Sequence, residues 1–291
     1  MEKIISVVGL TSSGKSDLAI ELARFFSGEI VSADSRQVYI GLDWCSGKVT
    51  KEEQVKAVHH LLDVCPLGTQ FTLFDFQTMA YEKIDNILAR KKLPILCGGT
   101  GLYTRAVVEG YDLEEQTGDP ELRRTLEKLN LKELVKICNE KNIELPEEVT
   151  KRRVIRALEK STATEKPNKP RYQVLQLGIK WDRQKIYERI RLRLERRMPN
   201  MIKEIQGLID SGENVEFLKS LGLEAKLVTE YLHGEFNSYE EFFEELFKQE
   251  RHFAKRQNTW FNKEKNIIWL DGETDYASEA KKLVAEFLSN A

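Results

Sequence analysis

One short stretch near the start of the chain constrains its fold more than any other. Residues 9–16 read GLTSSGKS, the residue spacing of a phosphate-binding loop. A strand-like apolar run, Ile4–Val8, precedes this loop, and apolar residues at helical spacing follow it. Strand, glycine-rich loop and helix in this order predict a phosphate site. Its predicted contacts are Gly9, Thr11, Ser12, Ser13, Gly14, Lys15 and Ser16.

The residue types of this loop suit an anion. Glycines allow backbone N–H groups to turn inward around an oxyanion, and the N-terminus of the following helix adds partial positive charge. Lys15 is expected to reach a terminal phosphate, and the Ser16 hydroxyl to coordinate Mg²⁺. The motif alone does not specify which phosphate compound binds.

Composition excludes several other classes of protein. Of the 291 residues, 41% are hydrophobic and 32% are charged, which fits a globular protein and not a disordered one. No apolar run reaches membrane-spanning length, and the first residues lack the apolar region of a signal peptide. The four cysteines are scattered, so we expect a reduced, cytoplasmic protein without disulfides or structural zinc.

Strand-like runs recur along the chain with helical patterns between them. Charged helical sequence interrupts this alternation at residues 119–171, and the segment KSTATEKPNKP has the composition of an exposed connector. We therefore predict an α/β fold, a P-loop NTPase-like parallel sheet flanked by helices, with residues 119–171 as a small all-helical insertion. Residues 1–118 and 172–291 form the predicted core, with a helical C-terminal half. The predicted strands are Ile4–Val8, Glu29–Ser32, Leu93–Cys97, Val174–Ile179 and Ile267–Leu270.

Two other motifs favour structural roles. Asp271 follows an apolar strand, as a magnesium-binding acid does in P-loop ATPases, but an edge strand ending in a turn is the simpler interpretation. His59 and His60 are adjacent, so their side chains diverge, and no third ligand stands at zinc-like spacing. We expect these histidines to be buried or to support other residues.

Polar side chains follow two more strands, at the edge where ligands bind in open α/β sheets. Asp34 comes just after Glu29–Ser32, where it could hold Mg²⁺, bind a sugar hydroxyl, act as a general base or only cap the following turn. The strand ending at Cys97 runs into two glycines and Thr100, and glycines allow a ligand to approach the backbone closely. A phosphate loop, an acid and a hydroxyl at three strand ends together predict a binding site.

Six segments, in order, resemble the tRNA dimethylallyltransferases, also called tRNA isopentenyltransferases. They are GLTSSGKS, SADSRQVY, HHLLDV, CGGTGLY, KRRVIRALE and RHFAKRQNTWF. The resemblance implies transfer of a dimethylallyl group from dimethylallyl diphosphate to N6 of the adenosine just 3′ of the anticodon in tRNA. It also implies Mg²⁺ dependence and a phosphate loop that holds the donor's diphosphate instead of a nucleotide.

The resemblance also assigns roles to residues. Asp34 would be the general base that accepts an N6 proton, and Thr100 with Arg123 would assist at the reacting centre. The implied contacts to the target nucleotide are Asp34, Ser35, Arg36, Gln37, Thr100 and Arg123.

The chain departs from the family pattern in places. Leu10 stands where Pro is usual, and GLDWCSGKV replaces a run of small residues while keeping Lys48. LGLEAK stands where Gly-Tyr and a basic residue are expected, so Leu223 and Glu224 remove one expected diphosphate contact, which Lys226 could replace. The sequence has no zinc-finger extension like that of eukaryotic members, so we expect a bacterial-type enzyme.

Three basic helical stretches are candidate contacts to the RNA backbone. Each also fits a solvated helix face, and both interpretations stay open. One stretch carries Arg189, Arg193 and Arg197, one at each turn. In the stretch RHFAKRQNTWF, we expect Trp260 and Phe261 to lie in the core and not to stack on RNA bases. The tRNA contacts predicted in the other two stretches are Lys151, Arg152, Arg153, Arg156, Arg251, Lys255 and Arg256.

Two alternative functions share part of these motifs. A small-molecule or nucleoside kinase would have the same loop, acid and fold, with residues 119–171 as a lid over ATP. A non-catalytic RNA-binding module would carry the loop without using it. The transferase is favoured, with tRNA and dimethylallyl diphosphate as its partners, no membrane association, and a monomer as the expected state.

Overall fold

The computed structural model describes residues 1–113, 120–161 and 167–290, which form two compact units. The first unit comprises Met1–Val108 and Pro170–Ala291, and the second comprises Glu109–Lys169. The boundary predicted between residues 118 and 119, and the middle of the predicted connector, lie outside the described residues.

The first unit is built on a parallel sheet. Its described strands are β1 (Lys3–Val8), β2 (Glu29–Ser32), β3 (His59–His60), β4 (Pro94–Gly98), β5 (Gln173–Lys180) and β6 (Ile267–Asp271). They lie in the order β3-β2-β4-β1-β5-β6, and every neighbouring pair is parallel. The carboxyl ends of β1, β2 and β4 therefore meet at one edge of the sheet.

Helices follow the strands and fill the C-terminal half. Those of the first unit are α1 (Lys15–Phe25), α2 (Lys51–Lys56), α3 (Leu73–Ala89), α4 (Gly101–Val108), α8 (Arg183–Asp210), α9 (Val215–Ser220), α10 (Leu223–Leu232), α11 (Tyr239–Phe261) and α12 (Tyr276–Ser289). Those of the second unit are α5 (Pro120–Lys128), α6 (Leu131–Glu140) and α7 (Lys151–Lys160).

The sheet is covered on both faces because successive strand residues point to opposite sides. On β1, Ile5 packs in a cluster with Leu18 of α1, whereas Ile4 packs in another with Phe76 and Ile84 of α3. A third apolar cluster joins α8, α9, α10 and α11. Sheet and helical C-terminal half thus belong to one unit, and the long helices α8 and α11 can supply side chains to the sheet edge.

The predicted α/β class and parallel sheet are confirmed, and all five predicted strands are present. The two-residue strand β3 was not predicted, because two residues are too few to show a period of two. β6 is an edge strand, and the Asp271 carboxylate accepts a hydrogen bond from the Glu273 amide at 3.0 Å, so the turn interpretation of this acid is correct. Phe25, the last residue of α1, is 63% exposed, and its ring packs edge-on against that of Phe26.

The second unit has its own apolar core. Val154 and Leu158 of α7 pack against Leu126, Leu134 and Cys138. The described part of this unit is helical. None of the helices described in either unit is long and apolar enough to cross a membrane.

Candidate active site

The phosphate loop turns sharply between β1 and α1. Gly14 is the N-cap of α1 with φ of 93°, a left-handed conformation that favours glycine, and Ser12 also has positive φ. Lys15 Nζ donates to the carbonyl oxygen of Leu10 at 3.1 Å, so the ammonium group lies against the loop. Burial lowers the pKa of Lys15 below its usual range. The strand, loop and helix follow one another in the order that the sequence motif predicts.

Side chains from the C-terminal half hold the loop from outside. Gln257 Oε1 on α11 accepts a hydrogen bond from the Thr11 amide at 2.8 Å, and its Nε2 donates to the Gly99 carbonyl at 3.0 Å. Gln257 therefore ties the phosphate loop to the turn after β4. The Trp181 indole donates to the Ser13 carbonyl at 2.8 Å.

The arginines of α8 extend this support. Arg189 Nε donates to the Ser12 carbonyl at 2.8 Å. Arg193 donates to Thr11 Oγ1 at 3.0 Å and to the Gly47 carbonyl at 3.2 Å, and Arg197 Nε donates to the Trp44 carbonyl at 3.1 Å. One helix thus links the phosphate loop to the segment around residues 43–48.

A cavity of about 900 Å³ lies between these elements. The phosphate loop, residues 47–54 and α8 form its walls, and basic side chains outnumber acidic ones around it. The basic residues that line it are Lys15, Lys48, Lys51, Arg189, Arg193, Arg196 and Arg197. A cavity of this charge beside the phosphate loop suits a multiply charged anion.

Two acids lie behind the arginines. Glu224 Oε1 is 3.7 Å from Arg197 Nη2, and the nearby Glu250 is 2% exposed. Burial, and next the proximity of Glu224, raise the pKa of Glu250 to about 8. Burial lowers the pKa of Arg193 to about 10. Lys226, considered as a replacement phosphate contact, lies 3.7 Å from Glu230 and does not line the cavity described above.

Asp34 lies at the carboxyl end of β2, in the turn that precedes residue 37. Its Oδ1 accepts from the amides of Arg36 at 2.8 Å and Gln37 at 3.4 Å, so it does cap this turn, as one interpretation of the sequence held. Thr100 Oγ1 accepts from the Ser35 amide at 3.1 Å, which joins this turn to the one after β4. Gln37 in turn donates to the Gly47 carbonyl at 3.2 Å.

Asp34 also faces the phosphate loop. A small cavity of about 20 Å³ is lined by Lys15, Ser16 and Asp34 together with Gln37 and Cys97. Capping the turn and serving the site are therefore compatible, since one carboxylate does the first while it lines the second.

The oxygen donors of this small cavity fit Mg²⁺. Ser16 offers a hydroxyl and Asp34 a carboxylate, and hard oxygen ligands are those that Mg²⁺ prefers. Across the described residues no three His, Cys, Asp or Glu side chains cluster as a metal cage. The Ser16 hydroxyl, with Asp34 nearby, suits the usual magnesium site, in which substrate phosphates and water supply the remaining positions.

Comparison with known proteins identifies the family. The sequence pattern of the family described as IPP transferase matches residues 37–264, and that described as isopentenyl transferase matches residues 2–69. The chain belongs to the IPP transferase family. The tRNA dimethylallyltransferase 2 of Shewanella sediminis is 41% identical to it over 97% of this chain and 98% of that protein. The tRNA dimethylallyltransferase of Streptococcus agalactiae is 38% identical over 99% and 98%.

Solved structures agree with this assignment. The tRNA isopentenylpyrophosphate transferase of Bacillus halodurans superposes with a TM-score of 0.75 at 32% identity, covering 99% of this chain and 97% of that one. A eukaryotic dimethylallyltransferase whose structures were determined acting on tRNA has a TM-score of 0.83 at 23% identity, covering 100% and 80%. The second comparison bears on the fold alone.

The remaining predicted residues of this IPP transferase lie elsewhere. Arg123 belongs to the second unit, where its guanidinium lies 3.0 Å from Glu127 and 3.3 Å from buried Glu159. In α7, Lys151, Arg152 and Arg153 are exposed, and Arg156 lies 3.3 Å from Glu159. The structure therefore groups Asp34, Ser35, Arg36, Gln37 and Thr100 with the phosphate loop, and places Arg123 and the α7 residues on the second unit.

The third basic stretch lies on α11. Lys255 and Arg256 are exposed, whereas Arg251 packs over the rings of Tyr187 and Phe247 at 5.4 and 4.7 Å. Phe261 is buried, as expected, but Trp260 is 37% exposed and its indole lies directly on Gly101, beside Thr100. The expectation that Trp260 is a core residue was wrong, because a glycine at the start of α4 leaves room for the ring at the surface.

Sequence reasoning missed the residues that brace the loop. Arg189, Arg193 and Arg197 were candidates for RNA contact or for a solvated helix face, and the structure shows them bonded to carbonyls around the cavity. Gln257 and Glu250 were not singled out. Their signal was present, since both are polar residues on the inner, otherwise apolar face of α11.

Proposed function

We propose that the protein transfers a dimethylallyl group from dimethylallyl diphosphate to N6 of the adenosine just 3′ of the anticodon in tRNA and releases diphosphate. The observation that carries this proposal is that Lys15 of the phosphate loop and the carboxylate of Asp34 line one small cavity. The reaction needs a site for the leaving diphosphate and an acceptor for the N6 proton, and Lys15 and Asp34 can supply them. Membership of the IPP transferase family favours it over a kinase or a non-catalytic module.

The phosphate loop would receive the leaving group. As the allylic C–O bond breaks, negative charge grows on the bridging oxygen of the diphosphate. Inward-facing amides at the N-terminus of α1, the Lys15 ammonium and the arginines of α8 would stabilise that charge. Mg²⁺ held by Ser16, with Asp34 nearby, would supply further positive charge to the phosphate oxygens when bound.

Asp34 would accept the proton from the nucleophile. The lone pair of adenine N6 is delocalised into the ring, so N6 attacks poorly unless a base takes one of its protons. Both turn-capping bonds of Asp34 go to Oδ1. Oδ2 would then be the atom that faces N6. The target adenine must leave the stacked anticodon loop to reach this site, as in other enzymes that act on a nucleobase.

Exposed basic residues would hold the tRNA backbone. Arg152 and Arg153 of α7, and Lys255 and Arg256 of α11, are exposed and can each neutralise a phosphate. We propose these as the RNA contacts, with Arg36 and Thr100 closer to the target nucleotide. We also propose a cytoplasmic monomer, in keeping with four free, buried cysteines.

The test is transfer of radiolabelled dimethylallyl groups to bulk tRNA in the presence of Mg²⁺, with nucleoside analysis of the product. Asp34→Asn should retain tRNA and pyrophosphate binding but slow transfer about a hundredfold or more, as removal of a general base does. Wild-type rates for this variant would show that Asp34 is not the base. ATP turnover without labelled tRNA would support the kinase instead.

A further inference from the structure

The two halves of α11 differ in charge. Residues 251–263 contain four Lys or Arg and no Asp or Glu, whereas residues 239–250 contain five glutamates. The basic half is the part of the helix that reaches the sheet edge, where Gln257 contacts both the phosphate loop and the turn after β4. This distribution places positive charge beside the candidate site, although the chain as a whole carries a formal charge of −2.

Two large aromatic side chains lie exposed on this basic half. Phe253 is 38% exposed and Trp260 is 37% exposed. Phe253, Arg256 and Trp260 stand three and four residues apart, so they share one face of the helix, and the Arg256 guanidinium lies over the Phe253 ring at 5.7 Å. These three residues are called the aromatic stripe below. Single exposed apolar residues are common on protein surfaces, but two aromatic rings and a cation on one exposed face indicate a contact surface.

Trp260 adjoins the candidate site through Gly101. Its indole lies so close to Gly101 that a Cβ atom at this position would overlap the ring. Gly101 follows Thr100, whose hydroxyl accepts a hydrogen bond from the Ser35 amide at 3.1 Å, in the turn that Asp34 caps. The indole therefore stands beside the turn of the proposed general base and remains partly open to solvent.

A single-stranded RNA loop offers the groups that this surface can bind. When a target base leaves the stack, its neighbours lose a stacking partner. RNA-binding proteins take up such unstacked bases on aromatic side chains, a contact that every base can make because every base has a flat face. The loop phosphates carry the charge opposite to that of residues 251–263.

We propose that Trp260 stacks on the nucleobase next to the target adenosine, and that Arg256 of the aromatic stripe binds the loop phosphates beyond it. The inference rests on the proposed function, because it assumes that the target base enters at the Asp34 turn. Trp260 replaces the stacking interaction that the neighbouring base loses, and so stabilises the loop with its target base extruded. It is a substrate-binding residue and takes no part in proton transfer.

The experiment is a double-mutant cycle between Trp260 and the RNA, without donor. The Kd of an anticodon stem–loop is measured for wild type and Trp260→Ala, with the intact loop and with loops that lack the base just 5′ or just 3′ of the target adenosine. We expect Trp260→Ala to weaken binding of the intact loop about fivefold to a hundredfold, the range for one base–aromatic stack. Removal of the stacked base should cost wild type a similar factor and the variant almost nothing further.

Three variants separate stacking from a structural role. Trp260→Phe keeps a flat ring and should restore most of the affinity. Gly101→Ala keeps the tryptophan but places a methyl group where the indole lies, so it should weaken binding of the intact loop. This variant decides the matter if Trp260→Ala does not fold, by circular dichroism. Phe25→Ala removes an aromatic ring of a residue that is 63% exposed on α1, and it should bind RNA as wild type does.

A salt series separates stacking from phosphate contact. Trp260→Ala should keep the wild-type salt dependence, because a base stack releases no counterions. Arg256→Gln should lower the slope by about one unit. A slope that falls in Trp260→Ala as much as in Arg256→Gln would contradict the stack.

Additive effects of Trp260→Ala and of each missing base would overturn the inference. If that protein still transfers dimethylallyl groups to tRNA, only the stack is refuted. Coupling in a protein that binds the stem–loop but transfers nothing would support the stack and refute the transferase. A protein that binds no stem–loop would refute both.

Discussion

Gln257 offers a direct test of how the C-terminal half shapes the phosphate loop. Its amide joins the Thr11 amide, at 2.8 Å, to the Gly99 carbonyl, at 3.0 Å, and both contacts are buried. Gln257→Met keeps a long, flexible side chain in that space but removes the donor and the acceptor. Two buried backbone groups then lose their partners at one position.

The expected cost follows from those two groups. Each buried backbone group without a partner costs about 1–3 kcal/mol, so the variant should lose about 2–5 kcal/mol of folding stability after the gain from a more apolar side chain. For a unit of this size that corresponds to a fall of roughly 5–15 °C in Tm. Donor binding should weaken as well, because Thr11 belongs to the phosphate loop.

The assay is thermal unfolding by circular dichroism, with and without pyrophosphate. Gln249→Met is the matched control, since Gln249 lies on the same helix and bonds only to neighbouring Glu245 among the contacts described, at 2.7 Å. We expect the control to change Tm by less than about 2 °C. Equal Tm values for the two variants would refute the argument that Gln257 holds the loop.

Three further predictions concern charge. Lys15→Ala should weaken pyrophosphate binding and slow transfer, because it removes a cation from the diphosphate site; unchanged competition by pyrophosphate against the donor would contradict this. Replacing Arg152, Arg153 and Arg156 with Gln should reduce the salt dependence of tRNA affinity by roughly two or three units of slope, with circular dichroism as the folding control, and an unchanged slope would make α7 a solvated face. Hydrogen bonds from Arg90, and then from Lys92 and His60, hold the pKa of Glu29 far below its usual range, and a depressed acid pKa stabilises the folded state above the unfolded pKa. That stability is lost as the pH falls, so Tm should drop more steeply from about pH 5 to about pH 2 in wild type than in Glu29→Gln.

The fold could be predicted because its signals are local. Each of β1, β2, β4, β5 and β6 is a short apolar run bounded by turn residues, and each was found. β3 was missed because its two histidines take their position from pairing with β2, and from the 2.7 Å contact of His60 with Glu29, a residue thirty-one positions away. A pattern within a window of residues does not contain such a partner.

Some residues of the candidate site could likewise be predicted from local sequence, and others could not. The phosphate loop after β1, Asp34 after β2 and Thr100 after β4 could be found because parallel strands bring their carboxyl ends to one edge. The residues that brace them come from α8 and α11, far away in sequence. Periodicity predicts that Arg189, Arg193 and Arg197 share one face of a helix, but it does not predict what that face contacts. The roles assigned by resemblance, including that of Arg123, stay predictions.

Because α8 lies beside the phosphate loop, Arg189, Arg193 and Arg197 line the cavity. At successive turns, Arg189 binds a carbonyl of the phosphate loop, Arg193 binds both walls of the cavity, and Arg197 binds the segment at Trp44. A guanidinium has five N–H donors in a rigid fork, so a side chain that bonds a loop carbonyl keeps further donors for a ligand. Loop shape and anion affinity therefore depend on the same side chains. Lysine at position 193 would retain the charge but has no fork with which to reach both Thr11 and Gly47, so charge alone would not replace it.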